Sequence, residues 1–168
     1  KGKYMEKHTP KSRQVTSWTG IWRKTWCGPY AVAVVSGEEY ETCYQTLKQI
    51  RGKRHAKGVT MNNIVKACRK FNRKVDYTEL QNRRKMGKFC KEQLEPNNLY
   101  IIQISKHVLV IDTRDWTVID NQSQEWTAME NYHGFNKQVK GYIKIHNPAI
   151  GTFHDNLELD FYETRKVS

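Results

Sequence analysis

No stretch of this 168-residue chain comes near the roughly 18 to 20 consecutive apolar residues that a helix needs to cross a bilayer. Between Lys1 and Lys24 there is also no apolar core of the kind a signal peptide carries. A soluble, unexported protein is therefore expected. The four cysteines, at 27, 43, 68 and 90, form no CxxC pair, and no His-x-x-x-His is present. That spacing gives a structural zinc site no support, and the long gaps favour reduced thiols over disulfides. Neither a metal nor a cofactor is expected. Acidic residues are scarce, 17 against 29 Lys plus Arg, which leaves a formal charge of +12 and a pI near 9.6. Such a field attracts polyanions, so nucleic acid or an acidic partner protein is one reading of the charge and simple solubility is the other. Internal repeats and low-complexity runs are missing too. At this length there is material for one core, not two. The chain divides into a basic arm, 1–17, one domain, 18–146, and a tail, 147–168.

The arm holds Lys1, Lys3, Lys7, Lys11 and Arg13 with almost nothing aliphatic to offset the entropy of ordering it. Trp18, Trp22 and Trp26 recur every fourth position, either to anchor this segment on the core or to stack on bases. From Cys27 the apolar positions Tyr30, Ala31, Val34 and Val35 make the stripe of a buried helix that ends at Gly37, and Pro29 suits its first turn. A second helix turns Tyr40, Cys43, Tyr44, Leu47 and Ile50 inward and stops near Gly52. Thr60 caps a third with Ile64, Ala67, Cys68 and Phe71 inside, and a fourth is expected from about Arg83 to Leu94 around Met86, Phe89 and Cys90. Cys43, Cys68 and Cys90 thus read as small buried hydrophobes. After Pro96 the pattern changes to β-rich runs, 99–104, 107–111, 116–119 and 139–145. Helices followed by strands give an α+β class, with an antiparallel sheet covered on one face. In the tail Leu157, Leu159 and Phe161 alternate with Glu158, Asp160 and Tyr162, a pattern that adds an edge strand or docks on a partner.

A thiol attacks as thiolate, and the positive end of a helix or a neighbouring imidazolium lowers its pKa. Cys27 is the one cysteine expected at a helix N-terminus; its spacing to Tyr30 and Ala31 equally allows a plain core role. His107 favours the reactive reading. It opens one arm of a hairpin whose returning strand ends at Asp120 and Asn121, so either residue can orient its ring. Because neighbouring strand residues face opposite sides, only one of the two reaches His107 without a bulge. His8, His55, His133, His146 and His154 read as surface residues. The basic runs Arg51-Gly52-Lys53-Arg54-His55 and Arg83-Arg84-Lys85 read as phosphate contacts or as solvated helix ends.

The run Trp26-Cys27-Gly28-Pro29-Tyr30-Ala31 resembles the nucleophile helix of papain-like cysteine peptidases, including compact bacteriocin-processing and phage-encoded relatives. Val118-Ile119-Asp120-Asn121-Gln122-Ser123 followed by Gly141-Tyr142-Ile143-Lys144-Ile145 is similar to the papain pattern of a strand ending in Asn-Ser-Trp and then a Gly-Tyr-Ile strand. Gly37 to Glu41 and Gly58 to Phe71 look like the second and third helices of the phage-type relatives, so the resemblance covers residues 22–145. It implies a papain-like fold, N-terminal helices packed on a C-terminal antiparallel sheet, in which Cys27 is nucleophile, His107 general base and then acid, and Asp120 or Asn121 the orienting residue. The implied activity is peptide or isopeptide hydrolysis through a thioester, with a protein or peptide as substrate. A peptidoglycan amidase using the same Cys and His is an alternative. So is a weak or inactive papain-like domain that serves as a basic virion or nucleic-acid-associated protein, which places the chain in the cytoplasm or on a virion. The chain departs from the family at Gly20 to Thr25, where papain-like enzymes carry a Gln for the oxyanion hole and this one has none. The Cys27 N–H is left as one donor, with Gln14 as a second if the arm folds back.

Overall fold

A computed structural model describes residues 25–148. The expectations for the arm, Gln14, Trp18, Trp22, His8, His154 and the tail from residue 149 fall outside these residues. Three helices come first: α1 (Cys27–Ser36), α2 (Tyr40–Arg51) and α3 (Met61–Lys70). Then β1 (Val75–Lys85) and α4 (Met86–Gln93) precede β2 (Leu99–Ile104), β3 (His107–Asp112), β4 (Thr117–Ile119), β5 (Thr127–Ala128) and β6 (Gln138–Ile145). The helix ends follow local chemistry. Gly37 (φ 78°) and Gly52 (φ 69°) take the left-handed conformation that closes α1 and α2, returning their N–H groups to Ala33 and to Lys48 and Gln49. Thr60 opens α3 with a reciprocal cap. Its hydroxyl accepts from the Asn63 N–H at 3.1 Å while the Asn63 side chain accepts from the Thr60 N–H at 3.1 Å.

The six strands form one antiparallel sheet in the order β1-β6-β2-β3-β4-β5. The class is α+β. β6, the last described strand in the chain, sits between β1 and β2. Both faces of the sheet are covered, not one as expected. Leu99, Ile101, Val108, Val110, Ile119, Ile143 and Ile145 pack with α1, α2 and α3. Tyr100, Ile102, Ile104, Leu109, Ile111, Val118 and Val139 pack on the other side with Met86, Phe89 and Cys90 of α4 and with Tyr132. Unbroken apolar runs such as Leu99–Ile102 and Val108–Ile111 are the sequence signature of such two-sided burial, since a strand wetted on one face alternates instead. Two further corrections concern the middle of the chain. The fourth helix begins at Met86 rather than Arg83, and Arg83, Arg84 and Lys85 close β1 instead of opening a helix. β1 itself was not expected because only Val75, Tyr77 and Leu80 of its eleven residues are apolar. It is an edge strand whose exposed side needs no apolar stripe. No helix among the described residues is long and apolar enough to cross a membrane.

Candidate active site

The first turn of α1 is pinned before any chemistry begins. Gly28 to Ser36 are all buried, so the helix is fixed on every side, and Cys27 alone at its start remains partly accessible. Gly28 is required by contact: a Cβ at this position would collide with the Val59 side chain from the loop before α3. The residues leading into the helix are tied from two directions. Asn121 Nδ2 donates to the Thr25 carbonyl at 2.9 Å, and the Trp26 N–H donates to the Tyr40 hydroxyl of α2 at 3.0 Å. Trp26, at the N-cap of α1, makes no side-chain bond to its first turn, whose leading N–H groups carry the positive end of the helix dipole.

His107 enters on the first residue of β3, after a tight turn in which Lys106 has φ 56°. Its Nε2 lies 2.7 Å from Asp120 Oδ2. That engagement leaves Nδ1 as the ring nitrogen available to Cys27, which lines the same cleft and whose thiol His107 pulls toward its charged form. The choice of Asp120 over Asn121 follows from strand register. Val110 pairs with Ile119, so extending the ladder sets Asp120 across from Leu109, on the same face of β3 as His107. Asn121 would stand across from Val108, on the α1 face, where it binds Thr25. Each of the two residues therefore holds one half of the pair: Asp120 orients the imidazole and Asn121 steadies the approach to the thiol.

Asp120 is saturated with donors. Besides His107, Oδ2 accepts from the Tyr132 hydroxyl at 2.7 Å and lies 3.1 Å from His133 Nε2. Oδ1 accepts the backbone N–H groups of Gln122 at 3.0 Å and Ser123 at 2.8 Å. Burial alone would raise the Asp120 carboxyl, but the bonds from His107, Ser123 and Tyr132 hold it well below the usual carboxylate range. Burial likewise disfavours the charged form of His107, yet Asp120 and Cys27 outweigh it and lift the imidazolium to about 9. For Cys27 burial pushes upward, while His107 and the backbone N–H groups of Val108 and Gly28 pull further the other way, so the thiol titrates below its ordinary value. Cys43, Cys68 and Cys90 contrast with it: burial pushes each of them up to about 12. The lowered thiol and raised imidazole both shift the balance toward a thiolate–imidazolium pair, the form in which a thiol attacks and an imidazole can give up a proton.

A cleft of about 570 Å³ opens on the pair. Val59, Met61 and Ile64 form its apolar wall, Gln103 and Gln122 offer amides, and Lys57, whose Nζ lies 5.2 Å from the Trp26 ring centroid, stands at its rim. Among the described residues no group of His, Cys, Asp and Glu is arranged to hold a metal. Tyr132 and His133 were not foreseen as parts of the site. His133, read as a surface residue, is half exposed and still reaches Asp120. No spacing could have pointed to them, since they follow a short 3-10 turn at Met129–Asn131 rather than a periodic element; the one local hint is Gly134, where a Cβ would meet the Tyr132 ring at 2.6 Å. Of the basic run 51–55, Arg51 turns inward on its own loop, bonding the carbonyls of His55 and Lys57 and the His55 ring. Comparison with known proteins finds no family model that matches this chain and no curated protein that matches it.

Proposed function

We propose that the protein is a papain-like cysteine hydrolase that cleaves peptide or isopeptide bonds through a thioester on Cys27. The observation that carries this reading is the convergence of three side chains: a thiol at the N-terminus of a buried helix, an imidazole that lines the same cleft and lowers its pKa, and a carboxylate 2.7 Å from the imidazole's Nε2. In the proposed reaction the Cys27 thiolate attacks the carbonyl carbon, and negative charge moves to the carbonyl oxygen. The Cys27 N–H is one donor for that oxygen, and the Gln103 and Gln122 amides lining the cleft are candidates for a second. Collapse of the tetrahedral intermediate breaks the C–N bond as His107 gives its proton to the departing amine. Water then attacks the thioester while His107 takes back a proton, releasing a carboxylic acid and restoring the pair. Asp120 keeps its charge throughout and stabilises the imidazolium. A peptidoglycan amidase would use the same steps on a different amide.

The competing proposal, a basic virion or nucleic-acid-associated domain without turnover, is favoured by the +12 charge and by the absence of Gln from Gly20 to Thr25. A substrate-independent acylation assay separates them. With p-nitrophenyl acetate the hydrolase reading expects a stoichiometric burst of nitrophenolate and an acetyl group on Cys27 by mass spectrometry, both lost in Cys27→Ala. A Cys27 that stays unmodified while the protein is folded would overturn it and leave the binding role.

A further inference from the structure

A second depression of about 590 Å³ lies away from the Cys27 cleft, between α4 and the segment that carries β5 and the 3-10 turn. Its floor is apolar: Trp116, Met129 and Phe135 pack onto the core between α4 and the sheet yet keep part of their surface in solvent. Phe135 rests directly on the α4 backbone, where a Cβ on Gly87 would come within 2.5 Å of its ring. Trp116 is held with φ 58°, a left-handed conformation that a bulky side chain rarely adopts. Its rim is cationic, with exposed Lys85, Lys88 and Lys91 and no carboxylate among the lining residues. An apolar, positively bordered groove calls for an occupant that alternates apolar and acidic side chains. Residues 155–163 of this chain, Asp-Asn-Leu-Glu-Leu-Asp-Phe-Tyr-Glu, have that pattern, with four carboxylates and no Lys or Arg.

The tether is long enough. β6 runs away from the groove, from Gln138, which pairs with Lys85, to Ile145, which pairs with Val75. Eight strand residues cover about 25 Å. Leu157, Leu159 and Phe161 lie 9, 11 and 13 positions beyond Pro148, an extended reach of about 30 to 45 Å. We propose that the Trp116–Met129–Phe135 groove is a docking site for residues 155–163 of the same chain, with Leu157, Leu159 and Phe161 on its apolar floor and the acidic side chains against Lys85, Lys88 and Lys91. This assignment is independent of whether Cys27 turns over a substrate.

Zero-length carbodiimide cross-linking of the full-length protein, mixed as equal parts of unlabelled and 15N-labelled chain, tests it with peptide mapping. The expected products join Lys85, Lys88 or Lys91 to Asp155, Glu158, Asp160 or Glu163 within one isotopic species. Replacing Leu157, Leu159 and Phe161 by Ser keeps every carboxylate, leaves the described domain untouched, and is expected to cut these products at least fivefold. Products that persist in the triple variant would reduce the contact to loose charge attraction and overturn the proposal. So would products found only between differently labelled chains, or carboxylates of 155–163 joined to other lysines alone.

Discussion

Five hydrogen-bonding groups on one carboxylate are more than an orienting residue needs, and at the residue scale Asp120 is the point on which the pair depends. Its charge raises His107, and His107 in turn lowers Cys27. Asp120→Asn keeps the shape and removes the charge. The thiolate fraction at pH 6 should therefore fall about tenfold or more, read as the rate of iodoacetamide labelling, since losing a buried opposite charge moves a pKa by one unit or more. Asn121→Ala should leave that rate near wild type and cost about 1 kcal/mol of stability for the lost bond to Thr25. Equal effects of the two substitutions on labelling would contradict the division of labour between them. In the unmodified protein, mass mapping should find Cys27 labelled at least ~100-fold faster than Cys43, Cys68 or Cys90, which are buried and titrate about 12. That His107 needs an acidic or amide partner at the end of the β4 run was legible in the residues themselves. Which of the two serves was not, because the answer lies in the pairing of Val110 with Ile119, a register that no single strand carries.

At the scale of elements, α1, α2 and α3 were readable because each combines an apolar stripe with its own terminator or cap: Gly37, Gly52 and Thr60. The Thr60 cap makes a direct prediction. Thr60→Ala should cost about 1 kcal/mol in urea unfolding, and because α3 supplies Met61 and Ile64 to the cleft wall, a larger KM change than kcat change is expected if turnover is found. A stability change below about 0.3 kcal/mol would mean that water replaces the cap without cost. β1 and β5 were not readable for opposite reasons: β1 is long but polar, β5 is only two residues, and each owes its strand geometry to a neighbour rather than to its own composition. The boundary error at Arg83 has the same origin, since basic residues serve equally well in an edge strand and in a helix terminus.

For the whole molecule the paired shifts have a pH signature. His107 is raised from 6.5 to about 9, so alone it contributes stability that is complete below pH 6.5 and lost as pH rises through about 9. Cys27 is lowered from 9.0, so alone it contributes stability that is present above pH 9 and lost as pH falls through its folded pKa. The two slopes oppose each other, so between about pH 6.5 and 9 the wild type is expected to vary less with pH than a variant that lacks one of the two groups. Cys27→Ser removes one of the opposing slopes and leaves His107 beside Asp120, so its stability should decline with rising pH across that interval, by at most ~1.4 kcal/mol per unit. Parallel pH profiles of the two proteins in urea would show that the pair is not charge-coupled. Asp120, lowered from 3.8, adds stability present above that value and lost in acid, so the variant Asp120→Asn should flatten the acid limb. The +12 charge predicts weak, sequence-independent nucleic-acid binding that falls steeply between low and moderate salt in filter binding; its absence at low salt would assign the charge to solubility or to an acidic protein partner.

The position of β6 between β1 and β2 also orders events during synthesis. A ribosome releases Cys27 long before His107, Asp120 and Tyr132, and the strand that joins β1 to the rest of the sheet emerges after all of them. Until it inserts, β1 has no strand partner and β2 lacks one of its two, a non-local closure that has to wait for most of the domain. The groups that lower the Cys27 thiol arrive earlier, with β3 and the end of β4, so a translation product truncated before His107 should show only the reactivity of an ordinary exposed cysteine.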